Sequence, residues 1–190
     1  MEPAKRLEDL VAKCDECDFV DKPFIKYQVY TRWLPDQVKV LAIGESPPPG
    51  FKNSLFYNLE SFDRFRLSMK LILGVKDDLG ILELLRSKNI FITAAVKCRP
   101  VNRFKISDMR KKCEHILKME IELLKPEKII AMGKTAALTI SRILGVRMPE
   151  SVNGIFVNRK DFELYFVPHP NYVFRFKRNV AFRIKSLFLM

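Results

Sequence analysis

Three runs of consecutive apolar residues, "VKVLAIG" (38–44), "NIFITAAV" (89–96) and "EKIIAMG" (127–133), are separated by stretches in which apolar residues recur at helical spacing. Runs with no polar face predict strands buried on both sides of a parallel sheet. Residues 2–13 predict a helix with Leu7, Leu10 and Val11 on one face, and 60–73 and 79–87 also read as helices. "SDMRKKCEHILKMEIELL" predicts a long helix with Ser107 as its N-cap. A helix at "TAALTISRILG" follows the third run. "GIFV" and "FELYFV" predict a hairpin around "NRKD", its second strand ending at "PHPNY", and 175–188 a closing basic helix. The segment from "CDEC" through "DKPFIKY" reads as irregular. "ESPPPGFKNSLFYN" is irregular too, because consecutive prolines lack donors and restrict the residues before them. Strands alternating with helices predict a single α/β layered domain over 1–190 with a mainly parallel sheet.

In such sheets ligands bind beyond the carboxyl ends of the strands. That rule selects the loops at 44–57, 97–103 and 168–172, which hold Glu45, Phe56, Tyr57, a basic patch and His169. A carboxylate at Glu45 could orient water or stabilise positive charge, or simply be a solvated loop residue. Phe56 and Tyr57 could stack on a flat ring or belong to the core. His169, between two prolines at a strand end, has little freedom and reads as functional.

Charge narrows the partner. The formal net charge of +12, with a pI near 9.6, favours a polyanion, nucleic acid before an anionic membrane. "VKCRPVNRFK" and "FRFKRNVAFRIK" interleave cations with apolar residues; Arg99 and Arg103 lie beside the expected pocket, whereas Arg183 and Lys185 fit an ordinary solvated face. No run approaches the ~20 apolar residues of a membrane span. The charged amphipathic start lacks a signal-peptide apolar region, so an intracellular, cytoplasmic protein is expected. In that compartment clustered cysteines lean toward metal. The chain has four, as C-x2-C (Cys14, Cys17) and C-x14-C (Cys98, Cys113). Four thiolates suit structural zinc or an iron–sulfur cluster, and ligand count does not choose between them. His115 reads as a helix-surface residue.

"VLAIGESPPPG", "FITAAVKCRP", "LLKPEKIIAMGKTAA" and "VPHPNYVFR" appear in an order that resembles the uracil-DNA glycosylase superfamily, and most specifically its iron–sulfur, family 4 type. In that group a GEAPG-like motif ends the first strand, an ITNVVKCRPP-like motif the second and an HPS-like motif the last. The resemblance covers about residues 10–180. It implies a three-layer α/β/α fold around a four-stranded, mainly parallel sheet. It implies a [4Fe–4S] cluster on Cys14, Cys17, Cys98 and Cys113, with a structural role in ordering the basic loop against DNA. It further implies a monofunctional DNA glycosylase that flips a deaminated base, uracil first, and leaves an abasic site; nothing in the sequence suggests more than a monomer.

By position, Glu45 would orient the attacking water and His169 would hydrogen-bond the departing base. Gly44 and Ser46 would supply backbone contacts, and Phe56 or Tyr57 would stack on the base. Lys97, Arg99, Arg103, Asn171 and Arg175 would meet DNA. Two departures stand out: the base-reading Asn of "ITN" is Ala94, and the stretch after the first motif is "FKNSLFYN", where Asn53 or Asn58 could serve as reader. Losing a hydrogen-bonding reader weakens discrimination, which keeps hypoxanthine or another modified base open, as well as a catalytically inactive iron–sulfur DNA-binding protein of the same fold.

Overall fold

The computed structural model describes residues 2–17, 21–149, 155–158 and 162–189. At its centre lie four parallel strands, β1 (Val40–Gly44), β2 (Ile90–Ala94), β3 (Lys128–Met132) and β5 (Glu163–Val167). A fifth strand, β4 (Ile155–Asn158), pairs antiparallel with β5, and the spatial order is β2-β1-β3-β5-β4. The parallel sheet is thus the expected one, with the expected hairpin adding an antiparallel edge; residues 159–161 of its turn lie outside the described residues. β1 and β2 are buried at every position, as strands covered on both faces must be.

Helices cover the sheet in two groups. In one, α1 (Pro3–Lys13), α2 (Pro23–Lys26) and α3 (Val29–Trp33) pack with α6 (Ile106–Leu124) and α7 (Lys134–Leu144). In the other, α4 (Arg64–Leu73) is the hub for α5 (Asp78–Ser87), α8 (Pro170–Phe176) and α9 (Ala181–Leu189). The result is a three-layer α/β/α fold. No helix among the described residues is long and apolar enough to cross a membrane.

Three local expectations are corrected. The segment after "CDEC" is not wholly irregular: Pro23 starts α2, and Phe24, Val29 and Tyr30 are buried, but helices of four and five residues are too short to leave a periodic signal. Ser107 does not cap the long helix; a 3-10 turn at Arg103–Lys105 leads into it, and Asn102 Oδ1 accepts from the N–H groups of Phe104 and Lys105. The closing helix is two helices, because Lys177 leaves helical geometry (φ −141°, ψ 47°) between α8 and α9.

Candidate active site

Register brings the carboxyl ends of the parallel strands to one edge: Gly44 pairs with Ala94, Ile43 with Ala131, and Met132 with Val167. A cavity of about 720 Å³ opens there, lined by residues of the 44–57 and 168–172 loops together with Arg103, the ends of β2 and β3, and the first turn of α7. Glu45, Ser46, Phe56, Ala94 and His169 all line it, so residues far apart in sequence meet as the strand-end rule requires.

Glu45 is half-buried, and Thr135 Oγ1 donates to its Oε2 (2.5 Å). Thr135 lies in the first turn of α7, where unpaired backbone N–H groups favour negative charge. On the opposite side His169 precedes α8, and its Nδ1 accepts from the Asn171 N–H at 3.2 Å. A ring nitrogen that accepts an N–H carries no proton, so the neutral ring holds its proton on Nε2. Burial pulls the imidazole pKa below its ordinary value, with Glu45 opposing that shift. His169 is therefore a neutral Nε2–H donor at neutral pH. Phe65 packs beside it, ring centroids 5.4 Å apart. Gly133 lets the β3–α7 turn approach it: at φ +88° a Cβ would stand 3.0 Å from that of His169.

The other pocket expectations divide. Tyr57 lines the cavity as a fixed wall shared with the core: its hydroxyl donates to Ile92 O (2.8 Å) and accepts from Ile92 N–H (3.1 Å), while its ring lies against Trp33 and Phe91. Phe56 meets Tyr57 and Phe65 edge-on and also lines the cavity. Asn58 is not a substitute base reader, because its amide donates to Asn53 O and Ser61 Oγ and its oxygen accepts from Glu60 N–H. Neither Asn53 nor Asn58 lines the cavity. Ser46 Oγ donates to Pro47 O.

Burial also divides the expected DNA-facing residues. Arg103 and Arg175 are exposed and line the cavity mouth. Asn171 lines it too, with Oδ1 accepting from Ser68 Oγ (2.9 Å) and tethering α8 to α4. Lys97 and Arg99 are corrections. Lys97 is fully buried: its ammonium donates to Glu120 Oε2, Thr93 Oγ1 and Ala94 O, and the other Glu120 oxygen accepts from Tyr30. Arg99, 4% exposed, pairs with Asp21 and donates to Pro48 O and Ser54 O. Charges so placed brace the pocket wall and floor and are out of reach of phosphates.

Cys98 and Cys113 are buried, Cys14 and Cys17 half-buried. α6 holds the first pair, through Lys112 Nζ on Glu16 O (2.6 Å). The Lys97 N–H donates to Cys113 Sγ (3.4 Å). Burial first, then the fields of Cys113, Cys17 and Cys14, push the Cys98 thiol up to about 12; burial likewise raises Cys113 to about 11. Among the described residues no three potential ligands already stand in a metal-holding arrangement. The donor set nevertheless fits a thiolate-bound centre: four soft ligands share one field, and buried thiols of this kind ionise only against a cation.

Sequence reasoning missed Thr135 and Phe65 as site residues. Threonine in a helix's first turn and phenylalanine in an amphipathic helix are ordinary on their own, and only the fold gives them their places.

The sequence model described as "Uracil DNA glycosylase superfamily" matches residues 31–188. The chain is 29% identical over 82 residues to the type-5 uracil-DNA glycosylase of Pyrobaculum aerophilum, covering 43% of this chain and 36% of that protein. It is 27% identical over 146 residues to the type-4 uracil-DNA glycosylase of the same organism, covering 75% of this chain and 67% of that one. Among solved structures, the UNG of Nitratifractor salsuginis aligns with a TM-score of 0.44 at 11% identity, covering 98% of this chain and 96% of that one.

Proposed function

Because the chain belongs to the uracil-DNA glycosylase superfamily, we propose that it is a monofunctional, monomeric DNA glycosylase of base excision repair, acting inside the cell on DNA with a deaminated base, uracil first. The observation that carries this reading is the pairing, across one cavity, of a Thr135-oriented carboxylate at Glu45 with a neutral Nε2–H donor at His169.

Cleavage of an N-glycosidic bond develops positive charge on the sugar and negative charge on the base. Glu45 stabilises the first and orients a water whose oxygen bonds to C1′ as the bond to the base breaks; the water's proton passes to the carboxylate. The bond's electron pair leaves with the base, and His169 stabilises the resulting oxyanion by hydrogen bonding from Nε2. Phe56 offers a ring for the extruded base, while the Gly44 and Ser46 backbone borders it. Cys14, Cys17, Cys98 and Cys113 would hold a [4Fe–4S] cluster, which supplies a cross-link between the N-terminal segment, the 95–100 loop and α6.

Ala94 favours a broader substrate range. With no amide at the strand end, and with Asn58 engaged in its own loop, no side chain at that position pairs with the Watson–Crick edge of uracil. An excision assay decides: labelled oligonucleotides carrying one uracil, hypoxanthine, xanthine or methylated cytosine, then alkali to cut abasic sites. Release of uracil, with or without a second base, abolished in Glu45→Ala and reduced at least 100-fold in His169→Ala (~10²–10³ for an oxyanion donor), is the expected result. Binding of DNA without release of any base would instead make the chain an inactive binding protein of this fold.

A further inference from the structure

The rim of the cavity carries aromatic rings that the core does not use. Phe62 and Phe176, each 69% exposed, and Tyr172, 46% exposed, line the mouth. Phe51 (106%) and Phe104 (91%) adjoin the lining residues Lys52 and Arg103. Their loops are tied together where Gly50 N–H donates to Pro100 O (2.9 Å).

Cations are interleaved with these rings. Lys52 follows Phe51, Arg64 stands two residues after Phe62, Arg103 precedes Phe104 and Arg175 precedes Phe176. All four cations are exposed, and none is ion-paired among the described residues. The carboxylates lining the same cavity are Glu45, bonded to Thr135, and Asp63, buried as the cap of α4.

A nucleotide has one flat base and one phosphate, and this rim repeats one ring beside one cation. In a duplex the π-faces are hidden in the stack, so a surface built for duplex phosphates gains nothing from solvated rings. An unpaired strand exposes both groups, and aromatic platforms within a cationic groove recognise it without regard to sequence. An apolar protein face that buried the rings would leave four cations to be desolvated without counter-charges, whereas a nucleic-acid strand brings a phosphate with every ring it offers.

We propose that the cavity mouth is a track for single-stranded DNA: nucleotides flanking the extruded one lie unstacked across it, bases on Phe51, Phe62, Phe104 and Phe176, phosphates on the neighbouring Lys and Arg. The direction of the strand toward the cavity rests on the glycosylase reading; the track itself does not.

The test is fluorescence anisotropy with dye-labelled oligonucleotides of normal bases only, as a single strand and as its duplex, at several salt concentrations. Wild-type protein is expected to bind the single strand more tightly. Phe51→Ala, Phe104→Ala and Phe176→Ala each weaken single-strand binding about fivefold or more, change duplex binding less than twofold, and leave the salt slope unaltered. Arg103→Ala weakens both and lowers the slope by about 1. The substituted rings are exposed, so melting temperatures stay at the wild-type value. Single-strand affinity unchanged in the Phe variants overturns the proposal, as does an equal loss on duplex, which would make the rings wedges into paired DNA. Since no damaged base is present, ring-dependent binding by a protein that excises nothing sinks the glycosylase reading and leaves the track standing.

Discussion

Lys97 and Arg99 stand two residues apart in a loop whose composition suggests a surface for phosphates, yet both are buried while Arg103 is exposed. The partners that draw them inward, Glu120 and Asp21, are 23 and 78 residues away, so nothing local in "VKCRPVNRFK" distinguishes them. Glu45 and His169 were legible because each follows a strand end, a position that apolar runs reveal. Replacing Lys97 with Met leaves the Glu120 carboxylate buried without its cation. The expected loss is roughly 3–5 kcal/mol, with most of it recovered in a Lys97→Met, Glu120→Leu double variant, as breaking one half of a buried pair costs far more than removing both; urea unfolding measures it. His169 makes a prediction in pH. Its folded-state pKa lies below the ordinary 6.5, so the unfolded chain takes up that proton first as pH falls. The stability from burying the neutral ring is fully present above 6.5 and is lost as pH drops from there through the folded value. Excision, a property of the folded enzyme, should stay level through neutral pH and fall only below 6.5, where a proton on Nδ1 removes the acceptor for the Asn171 N–H that orients the ring; His169→Gln should lack that component because its amide does not titrate.

At the scale of elements, legibility tracks length and periodicity. The parallel strands and the longer helices were readable because burial on both faces, or on one stripe, leaves a pattern in composition. The short helices and the break at Lys177 were not, since packing and backbone geometry decide them. α4 shows how an ordinary amphipathic helix acquires a positioning role. Asp63 caps it by accepting from Arg66 N–H, and the Arg66 guanidinium donates to the carbonyls of Leu55, Phe56, Asn58 and Ser61 and pairs with Asp78. One buried fork therefore holds the loop that carries Phe56. Arg66→Ala should destabilise the protein by about 3 kcal/mol or more. Arg66→Lys keeps the charge but not the fork geometry, so faster proteolytic cutting between residues 55 and 61 is expected of a protein that still folds.

Across the whole molecule, the four cysteines and the cavity share one segment. Cys98 stands between Lys97, which braces the β2 end beneath Ala94, and Arg99, which braces the 47–54 wall. The CxxC spacing was visible in the sequence; its link to the pocket runs through buried cations that the sequence presented as surface. Protein purified without air should be brown, absorbing near ~400 nm. Cys113→Ser should bleach it, lower its melting temperature and expose the 47–54 loop to protease. Colourless protein with stoichiometric zinc would overturn the iron–sulfur assignment while leaving the brace intact.

The sheet order also bears on how the molecule comes into being. β1 is laid down first among the strands and waits for a neighbour on each side, β2 and then β3, before β5 can join beyond β3. Glu45 thus emerges from the ribosome well over a hundred residues before His169, and the ring reaches its place only when the final strand docks and the Gly133 turn closes against it. A nascent or prematurely terminated chain would possess the carboxylate, the Pro-rich wall and all four cysteines, yet lack the imidazole that faces Glu45 across the cavity, so the site is completed only at the last stage of assembly.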